Sequence, residues 1–433
     1  MIEKLFHLHE NGTTVKTEII AGLTTFLTMS YILAVNPVIL GMTGMDKGAV
    51  FVATCAAAIV GSIIMAFVAN WPVGMAPGMG LNAFFAYTVV LGMGYTWQEA
   101  LGAIFISGLI FLCLTATGIR KWLIDGVPQS LRSSIAAGIG MFLAIVALQS
   151  AGILVKNDAT IIGLGDMARS GPALAALGFA IIVALDAFKV RGAILIGILI
   201  ITVLSFFVNP AAFQALMQTG PLSIPPSISS TFLKLDILGV LNTGIFHILL
   251  VFVLVEIFDA TGSLIGVGQR AGLMKPGKPN NLSKALFADS SAILAGSLIG
   301  TSSTTAYVES AAGAEAGGRT GLTALTIAIF FALALFFSPI VLVIPAYATA
   351  PALIFVACLM MKEFSEINWD NLTDCAPAAL TAIMMPLTYS IANGLAFGFI
   401  SYAVLKTLTG QWREVHIATW VIAFLFIIRF IIQ

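Results

Sequence analysis

The chain has 433 residues, of which 59% are hydrophobic and 9% are charged. A soluble domain carries roughly 25% charged residues, so lipid must be the solvent for much of this chain. The 20 basic and 20 acidic residues balance, which argues against a nucleic-acid partner. The four cysteines stand singly and predict neither a disulfide framework nor a metal site, and we expect no cofactor.

Long apolar runs follow one another from end to end of the chain. Residues 1–15 are too polar for a signal peptide, so the first run is expected to remain as a span. A spanning helix needs about 20 apolar residues. The fourteen runs predicted to span are 17–42, 49–70, 73–93, 98–119, 131–154, 171–189, 192–210, 240–266, 284–299, 301–318, 320–344, 346–361, 372–388 and 391–407. A further run, 416–432, holds Arg429, and its sequence is compatible with a span or with a surface helix.

The basic residues indicate the orientation of these runs. With the N-terminus inside and the runs alternating, only Lys47, Lys156, Arg169 and Lys234 fall outside, whereas the other basic residues before Arg429 fall inside. Cytoplasmic loops of membrane proteins are enriched in Lys and Arg. The sequence therefore predicts a multi-pass protein of the cytoplasmic (inner) membrane, with its N-terminus in the cytoplasm.

The two halves of the chain resemble each other weakly. Residues 57–64 (AAIVGSII) echo residues 292–299 (AILAGSLI), and each stretch precedes an unusual third element, at 72–83 and at 300–309. Seven runs per half is an odd number, so the second half is expected to be inverted relative to the first. Inverted repeats are typical of secondary transporters, in which they permit alternating access.

Both unusual elements should interrupt a helix. Pro72 and Pro77 remove backbone donors, and the stretch Thr301 to Thr305 is rich in hydroxyls and β-prone. We expect an extended segment followed by a half-helix, beginning near Gly80 in one half and near Thr305 in the other, so that two helix N-termini face one site. The alternative is a pair of kinks that permits close helix packing.

Three carboxylates inside apolar runs are the main candidates for chemistry. Glu256 and Asp259 share one helix face, and Glu309 lies just inside the second half-helix. Intramembrane carboxylates are costly and are usually functional. We predict that Glu256 and Glu309 accept hydrogen bonds from a substrate and that Glu256 and Asp259 carry a proton. The alternative is that each acid caps a helix or pairs with a buried hydroxyl.

Other side chains near the two interruptions complete the candidate substrate site. Asn82 offers a donor and an acceptor, Thr304 offers a hydroxyl, and Phe84 or Tyr307 could stack on a flat ring. Each of them could instead serve helix packing alone. No residue is predicted to be catalytic.

Two further features are predicted to be structural. Asp289, at the start of its run, is expected to be solvated or to cap a helix near the membrane interface. Glu315 and Arg319, at the cytoplasmic end of their run, are expected to form a local ion pair.

Several of these motifs together resemble a known family. The segments 76–83 (APGMGLNA), 256–262 (EIFDATG) and 300–310 (GTSSTTAYVES) are similar to the nucleobase/cation symporter-2 family (NCS2), and more narrowly to its adenine/guanine/hypoxanthine permease branch. The segments 18–26 (EIIAGLTTF) and 316–323 (AGGRTGLT) fit as well. This branch often has aspartate or another residue where Glu256 stands.

The resemblance implies an all-α polytopic membrane protein of fourteen transmembrane spans in two inverted seven-span repeats, as in UraA-like proteins, with spans 3 and 10 broken. Spans 1–4 (residues 1–120) and 8–11 (237–345) would form a core domain. Spans 5–7 (121–236) and 12–14 (346–433, with the C-terminal apolar run) would form a gate domain. The core would slide against the gate like an elevator, usually in a homodimer surrounded by membrane lipid.

The resemblance also implies a substrate and site residues. A purine nucleobase would enter the cell with protons and would bind Glu256, Glu309 and Asn82, with Asp259 as a supporting acid. The alternative is a small-anion transporter on the same architecture, although two carboxylates at the site would repel an anion. A membrane enzyme is not expected, because the sequence offers no nucleophile motif, metal cluster or large soluble loop.

Overall fold

The computed structural model describes residues 2–242, 246–274 and 281–432. Two of the basic residues predicted to lie inside, Lys275 and Lys278, fall outside these ranges. The α-helices of the first half are α1 (Ile2–Phe6), α2 (Val15–Met29), α3 (Ile32–Gly41), α4 (Lys47–Ile64), α5 (Met79–Ala83), α6 (Trp97–Ala116), α7 (Ile119–Gly126), α8 (Gln129–Ser150), α9 (Ser170–Ala187), α10 (Ala193–Val208) and α11 (Pro210–Thr219). Those of the second half are α12 (Ile237–Asn242), α13 (Phe246–Arg270), α14 (Leu282–Ile299), α15 (Ser310–Glu315), α16 (Gly321–Ala334), α17 (Ser338–Leu342), α18 (Ala346–Met361), α19 (Leu372–Leu387), α20 (Ile391–Leu408) and α21 (Ile417–Ile432).

Other helical turns extend some of these helices. The π-helical segment Met65–Ala69 continues α4, and the π-helical segment Phe84–Gly92 continues α5. The 3₁₀ segments are Leu335–Phe337, Lys362–Glu366 and Trp412–Glu414. Local sequence explains several helix starts: Thr96 and Glu99 form a capping box at α6, and the carboxylate of Asp46 accepts from the N–H of Ala49 (2.7 Å) at the start of α4.

Ten helical stretches of the described residues are long and apolar enough to cross a membrane, or eleven when α10 and α11, bent by 111°, count as one span. This is fewer than fourteen. Of the remaining predicted runs, 73–93 and 372–388 contain shorter helices, and 301–318 contains only the six-residue α15. Extended segments interrupt the helix in 73–93 and in 301–318, whereas the helix in 372–388 is continuous but only 16 residues long.

The fold is helical apart from two small antiparallel sheets. Strand β1 (Met75–Pro77) pairs with β4 (Thr304–Ala306), and β2 (Leu154–Asn157) pairs with β3 (Ile161–Leu164). The β2–β3 hairpin, which joins α8 to α9, was not predicted. Its residues are mostly exposed, so it does not contribute to the core.

The helices pack in two groups, each drawn from both halves of the chain. In one group α2 and α4 pack on α16, and α4 and α6 pack on α14. In the other group α8 packs on α18 and α19, and α9 packs on α18. One apolar cluster extends through both groups and contains the buried rings of Phe51, Phe84, Phe142, Phe252, Phe331 and Phe399.

The C-terminal apolar run forms α21, which lies antiparallel along α20. The ring of Phe426 stacks on Phe399, with the ring centroids 6.3 Å apart. Nearer its end, the guanidinium of Arg429 donates to Oδ1 of Asn393 (2.9 Å), a residue in the first turn of α20. Helix α21 therefore packs along much of α20 and is part of the helical bundle.

Candidate functional site

The two broken elements meet each other in the interior. In the β1–β4 pair, Ala76 lies opposite Thr305. The N–H of Gly78 donates to the carbonyl of Ser303 (2.9 Å), and the N–H of Tyr307 donates to the carbonyl of Gly74 (3.0 Å), which extends the pairing at both ends. Every residue of both strands is buried, so their backbone groups must be satisfied by each other and by nearby side chains.

Equivalent glycines of the two halves permit this arrangement. A Cβ atom on Gly61 in α4 would lie 2.8 Å from Cβ of Met75 in β1. A Cβ atom on Gly296 in α14 would lie 2.2 Å from Oγ1 of Thr304 in β4. The stretches 57–64 and 292–299, which resemble each other in sequence, therefore occupy similar places, because each supplies the glycine over which a strand passes.

The two half-helices begin at different distances from their strands. Helix α5 begins at Met79, next to the predicted start at Gly80. Helix α15 begins at Ser310, five residues beyond the predicted start near Thr305. The later start has a physical cause, because Thr304 and Thr305 are β-branched and their backbone pairs with β1.

Glu256 lies on α13 and faces the turn before β4. The hydroxyl of Ser303 donates to its Oε1 (2.7 Å), and the side chain is fully buried. On the neighbouring residue, the hydroxyl of Ser302 bonds Oδ1 of Asn82. Among the described residues, neither Oε2 of Glu256 nor Nδ2 of Asn82 has a hydrogen-bond partner. Adjacent serines thus hold a carboxylate and an amide, each with one buried polar atom unused.

Asp259 and Glu309 are half-buried. A Cβ atom on Gly78 would lie 3.6 Å from Oδ2 of Asp259, so this carboxylate adjoins the start of α5. The carboxylate of Glu309 accepts from the hydroxyl of Tyr31 (2.7 Å), which stands between α2 and α3. Tyr31 is not among the predicted site residues, because the helix break that exposes its hydroxyl to Glu309 follows no proline or glycine.

The remaining candidates have packing partners of their own. The ring of Phe84 is fully buried and lies edge-on to Phe252, with the centroids 5.0 Å apart. The hydroxyl of Tyr307 donates to the carbonyl of Pro77 (2.6 Å). Thr304 lies against α14, and its buried hydroxyl has no hydrogen-bond partner among the described residues.

The prediction for Asp289 was wrong. This residue lies in the middle of α14 and is fully buried, and its Oδ1 accepts from the hydroxyl of Thr305 and from the N–H of Ala306, each at 3.1 Å. Its Oδ2 lies 3.7 Å from the guanidinium of Arg120, which is 1% exposed. The start of α14 explains the error, since the helix begins at Leu282 and carries Asp289 two turns inward.

Arg120 connects several elements around this carboxylate. Its guanidinium donates to the hydroxyl of Thr261 on α13 (3.1 Å) and to the carbonyl of Leu286 on α14 (3.3 Å), and it lies 4.1 Å from the ring centre of Phe111. The sequence predicts only that Arg120 lies on the inner side of the membrane. Its burial beside strand β4 follows from tertiary contacts alone.

The predicted pair of Glu315 and Arg319 is also absent. Glu315 pairs instead with Arg270 (2.9 Å) at the end of α13. The guanidinium of Arg319 donates to the carbonyls of Ala314 and Gly318. The backbone of residues 316–319 turns sharply, with Gly317 at φ 106°, so the two side chains diverge.

Buried carboxylates beside two paired, interrupted elements in a helical membrane protein are features of secondary transporters. The chain belongs to the Permease family, which matches residues 16–397, and within it to the nucleobase/cation symporter-2 family and its adenine/guanine/hypoxanthine permease branch, as the motifs predicted.

Named relatives align over the whole chain. The chain is 46% identical to the adenine permease AdeQ of Escherichia coli strain K12 over 432 residues, which cover 100% of this chain and 96% of the relative. It is 45% identical to the guanine/hypoxanthine permease PbuO of Bacillus subtilis strain 168, covering 99% of this chain and 100% of the relative.

A solved structure shares the fold. The transmembrane domain of a cyanobacterium bicarbonate transporter, BicA, superimposes with a TM-score of 0.64 over 87% of this chain and 96% of that chain. The two sequences are 15% identical, so the likeness concerns the fold alone.

Proposed function

We propose that the protein is a proton-coupled transporter that imports purine nucleobases, adenine or guanine and hypoxanthine, across the cytoplasmic membrane. The permeases that it resembles are named for these bases. The observation that carries the proposal is the pair of unpaired atoms, Oε2 of Glu256 and Nδ2 of Asn82, on side chains that the adjacent serines Ser303 and Ser302 hold. A purine base has ring and exocyclic N–H donors and ring-nitrogen acceptors. Its donors complement the acceptor Oε2 of Glu256, and its acceptors complement the donor Nδ2 of Asn82.

The proposed site has further members. Glu309, held by Tyr31, is the second acceptor for the purine, and Thr304, with its unpaired hydroxyl, is an additional polar contact. Phe84 and Tyr307 form the aromatic wall. Glu256 and Asp259 carry the proton. Their two carboxylates are neighbours, and because two like charges repel, at least one of the two favours its protonated form.

We further propose how the chain is arranged in the membrane. The fourteen predicted runs form two inverted repeats, with spans 3 and 10 broken at β1 and β4. Residues 1–120 and 237–345 form the core domain, and residues 121–236 and 346–433 form the gate domain. The grouping of α2, α4 and α6 with α14 and α16, apart from α8, α9, α18 and α19, supports this division. The core slides against the gate within a homodimer, with the N-terminus in the cytoplasm.

The test is uptake of radiolabelled adenine, guanine, hypoxanthine, xanthine and uracil by cells that lack their own permeases. Uptake of one or more of the first three bases that collapses with a protonophore, and that persists when sodium is replaced, is the expected result. Uptake that requires sodium would overturn proton coupling and leave the purine assignment intact.

The second candidate is a small-anion transporter, favoured by the fold shared with the bicarbonate transporter. Carboxylates at the site oppose it, because Glu256, Asp259 and Glu309 would repel an anion. Uptake of bicarbonate or sulfate by well-expressed protein, with no uptake of any base, would establish this alternative.

A further inference from the structure

A cavity whose lining includes none of the buried carboxylates lies where four elements end on one face of the protein. Its volume is about 480 Å³, and its lining includes Met42, Tyr87, Gln149 and Tyr389. Met42 follows α3, Tyr87 lies in the π-helical continuation of α5, Gln149 lies at the end of α8, and Tyr389 follows α19. With the proposed orientation, all four elements end on the outer side.

The cavity lies at the interface between the proposed core and gate domains. Met42 and Tyr87 belong to the core, whereas Gln149 and Tyr389 belong to the gate. The rings of Tyr87 and Tyr389 meet edge to face, with the centroids 6.1 Å apart, and the hydroxyl of Thr88 donates to the carbonyl of Tyr389 (3.2 Å). A substrate that enters from outside between the two domains must pass this contact.

Polar atoms in the cavity suit a planar heterocycle. The hydroxyl of Tyr389 donates to Oε1 of Gln149 (2.7 Å), and the amide nitrogen of Gln149 has no protein acceptor among the described residues. Gln149 is exposed, so its amide nitrogen is available to a ligand. Two tyrosine rings supply flat apolar faces, and one side-chain amide supplies directional hydrogen bonds. Ligand pockets commonly have a volume of about 300–1,000 Å³, which places this cavity in the range for a small ring system.

The backbone of Tyr389 supports a role beyond packing. Tyr389 has φ 52°, in the left-handed region, directly after α19. The N–H of Ser390 donates to the carbonyl of Met385 (3.0 Å), which is the pairing of a helix end that usually has glycine in the left-handed position. Glycine would adopt this conformation without strain. The strained position nevertheless holds a tyrosine whose ring lines the cavity.

We propose that this cavity is an outer binding site for the purine base, occupied before the base reaches Glu256 and Asn82, and that the contact of Tyr87 with Tyr389 closes the passage beneath it. This inference rests on the proposed function. The base stacks on Tyr389 and accepts a hydrogen bond from the amide of Gln149.

Protection of a single cysteine tests occupancy of the cavity directly. Ser150→Cys, at a position that lines the cavity, is made in a chain whose four native cysteines are replaced by alanine. One version keeps Glu309 and a second carries Glu309→Gln to disable the buried site. Intact cells are treated with a membrane-impermeant maleimide, with and without adenine, guanine or hypoxanthine. We expect the transported base to slow labelling. Asp158→Cys, on the exposed β2–β3 hairpin, is the matched control and should be labelled at the same rate with or without the base.

A second pair of variants tests the residues. Tyr389→Gly removes the ring and relieves the backbone, and it should raise the base concentration for half-protection about tenfold. Gln149→Ala, at an exposed position, should raise this concentration as well and serves if Tyr389→Gly fails to fold. Lack of protection in a protein that transports purines, or protection that disappears with Glu309→Gln, would overturn the outer site and leave the proposed function standing. A wild-type protein that transports no purine would overturn both the proposed function and the outer site.

Discussion

The guanidinium of Arg120 lies 3.7 Å from the carboxylate of Asp289, and both side chains are buried. The two residues come from different halves of the chain. Asp289 holds Thr305 and Ala306 of strand β4, while Arg120 holds Thr261 on the helix that carries Glu256 and Asp259. The pair therefore connects the broken element of the second half to the helix with the proposed proton carriers.

Neutralising one member of this pair should destabilise the protein more than neutralising both. Arg120→Gln or Asp289→Asn leaves an uncompensated buried charge, which typically costs about 3–5 kcal/mol. We expect the double variant to unfold at a higher temperature than either single variant. Thermal unfolding of the purified proteins in detergent gives the three melting temperatures. A double variant that melts below both single variants would contradict the prediction.

Gly296 should tolerate no side chain, because a Cβ atom there would lie 2.2 Å from Oγ1 of Thr304. We expect Gly296→Ala to lower the melting temperature strongly and Gly296→Ala with Thr304→Ala to recover part of the loss. Gly266→Ala on α13 is the control, because no described atom lies within 4 Å of its Cβ position. Equal melting temperatures of Gly296→Ala and Gly266→Ala would contradict the close passage of β4 over α14.

Glu309→Gln should abolish accumulation of purine while the protein still inserts and purifies. Tyr31→Phe, which removes the 2.7 Å hydrogen bond to Glu309, should raise KM for uptake several-fold and leave the amount of protein in the membrane unchanged. Glu315→Gln is the matched control, because its pair with Arg270 is exposed and such pairs contribute about 0–1 kcal/mol. Near-normal uptake by Glu309→Gln would remove Glu309 from the site.

Glu256→Gln should separate substrate binding from proton coupling. Its amide oxygen can take the place of Oε2 and accept from the purine, while its amide nitrogen donates to Oγ of Ser303, and the side chain can no longer gain or lose a proton. We expect accumulation against a gradient to fail and exchange of labelled for unlabelled purine across the membrane to continue. Accumulation at the wild-type level would show that Glu256 is not the proton carrier.

With the proposed orientation, helix α21 should bring its C-terminal end to the outer side of the cytoplasmic membrane. Its 16 residues span roughly 24 Å, and it starts beside the proposed cytoplasmic end of α20 and reaches the level of Asn393 near the opposite end. A periplasmic alkaline phosphatase fused after Gln433 should be active, and a cytoplasmic fluorescent reporter at the same place should be dark. The opposite pattern would place α21 along the inner surface.

Local composition was sufficient to predict the class of protein, the interrupted elements and the family. Apolar runs indicated a multi-pass membrane protein, because burying charge in lipid is costly wherever it occurs along the chain. Pro72, Pro77 and the threonines at 301–305 indicated where the helices are interrupted, because these residues disfavour helix through their own backbone and side-chain geometry. The motifs around Asn82, Glu256 and Glu309 indicated the family.

The predictions that failed concern features that depend on residues distant in the sequence. Asp289 and Glu315 were assigned to the wrong surroundings, because their partners, Arg120 and Arg270, are distant in the sequence. Tyr31 carries no local signal for its bond to Glu309, and Tyr389 carries none for its bond to Gln149. The predicted start of the short helix α15, near Thr305, was too early, because pairing with β1 keeps Thr304 and Thr305 extended.

The sequence by itself determined the solvent of this protein, the positions of its interrupted elements and its family, because hydrophobicity, proline and glycine act on the chain where they stand. Only the tertiary structure decided which polar atoms are already paired. Strand β1 meets β4 across more than half the chain, and this pairing leaves Oε2 of Glu256 and Nδ2 of Asn82 unused. Whether a buried polar atom is free for a substrate depends on every neighbour that folding brings to it, and no local pattern records those neighbours.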